Sequence, residues 1–298
     1  APKPVTVMKR GRPQPGANAA ASHTGALSGE DAVIDAVLKQ YGAYRATSTE
    51  NLVDVAYACA RGIFPGGRRI GLLTLSGGVG IQMAGTADDL GLDVAPMPEP
   101  AQAQIRAMLS YAAPANPIDL TAQVVNDVTL VSKALDIVVQ QGGYDSLLLF
   151  LSTMPTVPHL CKPLSTVLHD QQPAFRERLA VLSFVGADEA RRQFESWGYL
   201  VFEDVDRALA AMAALTGFAE SFDAASTALS FEPLLALPPG PFDEHAAKQA
   251  LTAAGIPAIA ERRVDTPGQA AAAAAAFGSR VALKIVSHDL AHKTQAGG

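Results

Sequence analysis

The stretch that most restricts the possible folds is Ile70-Gly71-Leu72-Leu73-Thr74-Leu75, an unbroken apolar run that breaks into Ser76-Gly77-Gly78-Val79-Gly80. A strand without polar alternation must be covered on both faces, which points to a parallel sheet between helical layers. A helix is expected over 81–90, ended by Gly91, with a short strand over 92–95. This strand–loop–helix–strand order is the unit of a parallel sheet. It continues with a helix over 127–140, a strand over 146–151, and a Pro-punctuated loop with a short helix over 153–173. A strand over 179–185, a helix over 187–197, a strand over 199–202 and a helix over 205–219 follow. Asn116-Pro117-Ile118-Asp119-Leu120 reads as irregular. Residues 64–222 therefore read as a flavodoxin-like, doubly wound α/β domain.

Residues 1–63 read as a strand over 5–9, a small-residue loop, and two helices. Ser28 with Asp31 predicts the start of the first helix, whose face carries Val33, Ile34, Val37, Leu38 and Tyr41, with Gly42 closing it. Thr47 with Glu50 forms a second capping box. One strand and two helices cannot bury a core alone, so this piece must lean on a further sheet. Residues 223–240 have the Pro-rich composition of a linker. Beyond it, Asp243 caps a helix to Ala254, a strand is expected over 258–264, Thr266-Pro267 opens an Ala-rich helix, and 281–286 reads as a strand carrying Lys284. Both ends of the sequence read as cut from a longer polypeptide.

Bulk properties exclude several classes. Apolar residues at 49% and charged ones at 17% place the chain among globular proteins. A net charge of −6 with no dense basic run disfavours nucleic acid. Cys59 and Cys161 supply no disulfide framework, and neither a signal peptide nor a membrane span is visible, so a cytoplasmic protein without membrane partners is expected.

Three places can carry chemistry. Glycines between a strand and a helix, Ser76 to Gly80, let backbone N–H groups approach an anion, and the helix dipole adds about 0.3–1 kcal/mol per charge. The same glycines also serve as a tight turn with no ligand, and the residues alone do not separate the two readings. His23, flanked by Ser22, Thr24 and Gly25, is either a solvent-exposed loop histidine or a nucleophile for a phosphoryl group, whose adduct needs surrounding donors. Lys284, followed by His292 and Lys293, is either an ordinary basic strand end or a holder of nucleotide phosphates. Asp119 either caps a turn or lines a site, and the turn is the favoured reading.

The order of three motifs carries a resemblance: Ser-His-Thr-Gly-Ala-Leu-Ser-Gly at 22–29, Ser-Gly-Gly-Val-Gly at 76–80 with Asn-Pro-Ile-Asp-Leu at 116–120, and Val-Ala-Leu-Lys-Ile-Val-Ser-His-Asp-Leu-Ala-His-Lys-Thr-Gln-Ala-Gly-Gly at 281–298. Together they resemble the NDP-forming (ADP-forming) acyl-CoA synthetases, the acetate–CoA ligases related to succinyl-CoA synthetase. The resemblance implies that 1–63 is the C-terminal part of a succinyl-CoA ligase-like domain and that 241–298 begins an ATP-grasp domain. His23 then carries phosphate as a phosphohistidine, with Ser22, Thr24, Gly25, Ser76, Gly77, Gly78, Val79 and Gly80 as phosphate-binding residues. Lys284, His292 and Lys293 become nucleotide-binding, and His292 a relay. It further implies ATP/ADP, CoA and Mg2+ as cofactors, a small carboxylic acid as substrate, and a homodimer or higher oligomer. The family reaction joins acid, CoA and ATP into acyl-CoA, ADP and phosphate through an acyl phosphate. The family's CoA-binding domain and metal-binding carboxylates have no counterpart in the sequence, and His288 stands where relatives have proline. The chain thus reads as an inactive piece of a longer synthetase. Two readings compete: the regulatory ligase-like module of a protein lysine acetyltransferase, against which stands His23, the nucleophile such modules lack, and a flavodoxin-like binding protein, against which stand the order of the three motifs and the lack of an independent cofactor motif.

Overall fold

The structure, a computed structural model, describes residues 3–9, 31–186, 188–224 and 242–286. The chain forms two compact units, Ala1–Ala228 and Leu229–Gly298.

In the first unit, β3 (Ile70–Thr74), β4 (Ile118–Asp119), β5 (Ser146–Ser152), β6 (Leu179–Phe184) and β7 (Leu200–Phe202) form one sheet in the order β4-β3-β5-β6-β7, with every pairing parallel. Counted within the domain this is 2-1-3-4-5, the flavodoxin-like order. The expected doubly wound fold is present. All residues of β3 and β6 are buried, as their unbroken apolar runs require.

Helices cover both faces. On one side, α4 (Glu99–Met108), α5 (Thr129–Gln141), α6 (Pro158–Gln171) and α7 (Asp188–Ser196) bury Ile105, Leu135, Leu168 and Phe194 against Leu73, Leu149 and Leu182. On the other, α3 (Gly77–Asp89) and α8 (Val205–Ala224) bury Met83, Leu209 and Met212 against Ile70, Leu72 and Val181. Gly71 sits where the first layer leaves no room. A Cβ there would lie 2.4 Å from Leu147 Cδ2 and 2.7 Å from Tyr144 Cδ2. Gly71→Val should therefore lose about 2–3 kcal/mol through overpacking. A fall in the urea midpoint at unchanged m-value would register it, and an unchanged midpoint would show that the core can yield there.

The N-terminal piece packs into the same unit. β1 (Thr6–Val7) pairs in parallel with β2 (Tyr44–Arg45), and α1 (Asp31–Gln40) lies between them in sequence. β2 was not expected from the sequence. Helix α2 (Thr49–Ala60) packs on α8. Asp54, buried, accepts from Arg207 Nε at 2.9 Å and Nη2 at 2.7 Å, while Tyr57 Oη donates to Glu195 Oε1 at 2.8 Å and accepts from Val201 N. Burial pushes the Cys59 thiol on this helix up to about 11, so it stays protonated at neutral pH.

Several expectations are corrected. The second helix is capped by Ser48, which accepts from Asn51 N, and Asn51 Oδ1 in turn accepts from Thr47 N. The box is therefore one residue later than Thr47/Glu50. The face expected to bury Val33, Val37 and Tyr41 leaves them 59%, 46% and 78% exposed, because only Ile34 and Leu38 turn inward. Residues 92–95 make a single bridge, Arg69 to Asp93, and no strand. The segment 153–173 contains a 14-residue helix with Pro163 inside it, where a short one was expected. The irregular Asn-Pro-Ile-Asp segment contributes β4.

In the second unit, α9 (Glu244–Ala253) starts at Asp243, which accepts from Ala246 N. α10 (Pro267–Phe277) starts at Thr266 and ends in left-handed Gly278. Neither 258–264 nor 281–286 is a strand. A strand needs a neighbour to take its backbone hydrogen bonds, and no segment among the described residues of this unit pairs with either. The 223–240 segment lies almost wholly outside the described residues.

Candidate functional site

The glycine run lies at the C-terminal end of the sheet, where open α/β folds place their ligands. The helix begins at Gly77 and not at 81, so the glycines form its first turn. Ser76 is extended, with φ −145° and ψ 116°, and its side chain makes no capping bond. Thr74 Oγ1 fixes the entry by accepting from Ser76 N and donating to Ser76 O, both at 3.0 Å. Gly80 N donates to Ser76 O at 2.9 Å. The N–H groups of Gly77, Gly78 and Val79 lie in the first turn, before any intrahelical acceptor exists for them.

Packing explains the residue types. A Cβ on Gly80 would meet Thr74 Cγ2 at 3.1 Å and Pro117 Cβ at 3.3 Å. Gly77 faces Asp119, whose Oδ2 would lie 3.2 Å from a Cβ there. Gly78 has open space in front of it.

The Asn116–Asp119 segment builds the neighbouring wall. Asn116 Oδ1 accepts from Leu72 N at 3.0 Å, and its Nδ2 donates to Ile70 O and Ala95 O. One amide thereby pins the turn to the edge of β3, and the Asn116–Pro117 peptide is cis. Asp119 Oδ1 accepts from Thr121 N at 2.8 Å, the turn role expected of it. Its other oxygen faces the glycine turn, the less favoured of the two roles expected of it, so Asp119 serves the turn and borders the site together. The signal was available in the four-residue Asn-Pro-Ile-Asp spacing, but only the fold brings it beside Gly77.

Ser22, His23, Thr24 and Gly25 lie outside the described residues, as do His292 and Lys293. Their flanks are described: Lys9 after β1 and Asp31 at the start of α1. Lys284, in the second unit, is 58% exposed and donates to Glu244 Oε1 at 3.1 Å. Glu244 also accepts from Lys248 Nζ at 2.9 Å, and Lys248 reaches Glu261 at 2.7 Å. Lys248 and His245 hold the Glu261 carboxyl below its ordinary range.

Comparison with known proteins follows this division. A succinyl-CoA ligase-like flavodoxin domain matches residues 1–59, and an ATP-grasp domain matches residues 240–298. The chain is 27% identical to 4-hydroxybutyrate–CoA ligase [ADP-forming] of Nitrosopumilus maritimus over 99% of its own length and 44% of that protein's. It is 28% identical to the alpha subunit of acetate–CoA ligase [ADP-forming] I of Pyrococcus furiosus over 72% of the chain and 46% of that subunit. Among solved structures, it superposes on the dinucleotide forming acetyl-coenzyme A synthetase 1 of Ca. Korarchaeum cryptofilum in complex with phosphate and ADP. That match has a TM-score of 0.64 and 28% identity, and covers 76% of this chain and 50% of that one. The chain is thus similar to ADP-forming acyl-CoA synthetases from end to end.

The chain spans less than half the length of the curated ADP-forming synthetases just described. The flavodoxin-like sheet order and the ATP-grasp match agree with the sequence reading. No helix among the described residues is long and apolar enough to cross a membrane.

Proposed function

We propose that the full-length protein is an ADP-forming acid–CoA ligase, that His23 is its phosphoryl carrier, and that the glycine turn at 77–80 receives the phosphohistidine. The observation that carries this reading is the exposed first turn of α3 at the C-terminal sheet edge, where three backbone N–H groups precede the first intrahelical acceptor. The ligases among the relatives favour it over the regulatory module of a lysine acetyltransferase.

In this reading, His23 accepts the γ-phosphoryl group of ATP, with ADP as leaving group. It then gives the group to the substrate carboxylate, forming an acyl phosphate. The thiolate of CoA attacks the acyl carbon and expels inorganic phosphate. Ser22, Thr24 and Gly25 donate to the phosphoryl oxygens from beside the imidazole, and the Ser76 hydroxyl and the N–H groups of Gly77, Gly78 and Val79 do so from the helix start, whereas Gly80, expected among the donors, gives its N–H to Ser76 O and packs the turn against Thr74 and Pro117. Preformed donors aimed at developing charge are worth about 3–4 kcal/mol each when removed. Lys284, His292 and Lys293 hold nucleotide phosphates, and His292 acts as a relay near them. For Lys284 this requires exchange of Glu244 for a phosphate oxygen, and its exposure leaves that path open. Magnesium is a different case. Among the described residues no group of three or more His, Cys, Asp or Glu side chains could hold a metal ion, so no step is assigned to it here.

The domain assignment follows: 1–63 completes a succinyl-CoA ligase-like domain, 64–222 is the flavodoxin-like ligase domain, 223–240 links, and 241–298 opens the ATP-grasp domain. A cytoplasmic homodimer or higher oligomer without nucleic acid partners completes the reading.

The test supplies the full-length protein with CoA, Mg-ATP and a panel of carboxylic acids. Acid-dependent ADP and orthophosphate are expected. AMP and pyrophosphate would reject the assignment.

A further inference from the structure

We propose that Arg45 is the positioning residue for the phosphohistidine segment, an inference that rests on the assignment of His23 as phosphoryl carrier. Residues 10–30 carry His23, and the chain enters them from Lys9 and leaves at Asp31. One guanidinium holds both flanks. Arg45 Nη2 donates to Lys9 O at 3.1 Å and to Asp31 Oδ1 at 2.6 Å, while Nη1 donates to Asp35 Oδ1 at 2.6 Å. Its side chain is only 6% exposed. Asp31 and Asp35 are one turn apart on α1, so the two Nη groups grip one face of that helix.

The backbone places this clamp. Arg45 ends β2 opposite Val7 of β1, and the pair continues through Ala46 N to Val7 O at 2.8 Å. The guanidinium therefore extends from the strand beside the one that leads into the segment. It ties strand end and helix start to a common point. Charge-assisted bonds from a planar fork fix both distance and direction, which a lysine with one nitrogen cannot reproduce. Arg45 acts through the three residues it holds, Lys9, Asp31 and Asp35.

The experiment uses the full-length protein and γ-labelled ATP in single-turnover phosphorylation, with His23→Ala as reference. In Arg45→Lys, the rate constant for label transfer to His23 should fall roughly ten- to a hundredfold, the scale of a misplacement of about 1 Å. KM values for the acid and CoA should hold. A role in stability alone would lower the amplitude of labelling and the melting temperature but leave the rate constant per labelled site intact, and that outcome overturns the proposal. Should Arg45→Lys fail to fold, the double variant Asp31→Asn/Asp35→Asn releases the same clamp from the helix side, and wild-type rates there would overturn it equally. The two failures are separable. Label that survives His23→Ala removes the carrier assignment, whereas label that depends on His23 but transfers at the wild-type rate in Arg45→Lys removes only the clamp.

Discussion

His23→Ala in the full-length protein should abolish acid-labile phosphoenzyme and reduce acyl-CoA formation by at least about 10⁴-fold, the scale of losing a covalent nucleophile. The physical ground is the loss of the attacking nitrogen: alanine offers no lone pair to the phosphorus, and the described histidines lie elsewhere in the fold. His159 and His169 lie on α6, and His245 is bonded to Glu261 at 2.7 Å in the second unit. The carboxylate of the substrate could attack ATP directly only if the two were brought together. The residual rate therefore measures how much the protein relies on the carrier. The measurement is a quench with labelled ATP, split between acid and alkali, because a phosphoramidate is lost in acid and survives in base. Undiminished acid-labile label in His23→Ala would locate the carrier elsewhere.

The legible part of this fold is the part whose residues repeat a decision several times. β5 and β6 are apolar at nearly every position, and each buried side chain votes again for a covered strand. The two-residue strands β1, β2 and β4 offer no such repetition. Their pairing is decided by tertiary partners, most plainly for β4, which follows the Asn116 amide onto Leu72 N and Ile70 O. The start of α3 was misplaced because glycine is a poor helix former, about 1 kcal/mol below alanine. Tertiary packing overrides that preference: Gly80 must lie against Thr74 and Pro117, and it does so only as part of the helix. At 281–286 the failure has the opposite sense. Val281, Leu283 and Ile285 suit a strand by type, yet they stand 48%, 78% and 54% exposed, because propensity cannot replace a pairing neighbour. Of the residues named from sequence as candidates, the glycine turn in the first unit and Lys284 in the second lie among the described residues. Asp119 beside Gly77 and Arg45 across Lys9 and Asp31 depend on contacts between distant residues, which no spacing rule reports.

The glycine turn admits a test in which stability and activity move apart. Gly78→Asp adds a side chain where nothing stands within 4 Å, so no clash is expected. A carboxylate in the first turn of α3 also complements the helix dipole, by about 0.3–1 kcal/mol. The variant should therefore melt at or slightly above the wild-type temperature. It also places a fixed negative charge where the phosphohistidine is proposed to dock. Transfer through His23 should fall on the order of a hundredfold, the scale of losing one preformed donor to a developing anion. Gly78→Asn is the control, matched in size and without the charge, and it should recover most of the rate. If burial of the turn or helix geometry were the whole reason for glycine, both variants would lose stability together and their rates per folded molecule would match. Equal labelling rates in Gly78→Asp and wild type would mean that this helix does not face the phosphohistidine. The charge-specific pattern, with Asp slow, Asn near wild type and both stable, is the result that only an anion at the first turn of α3 produces.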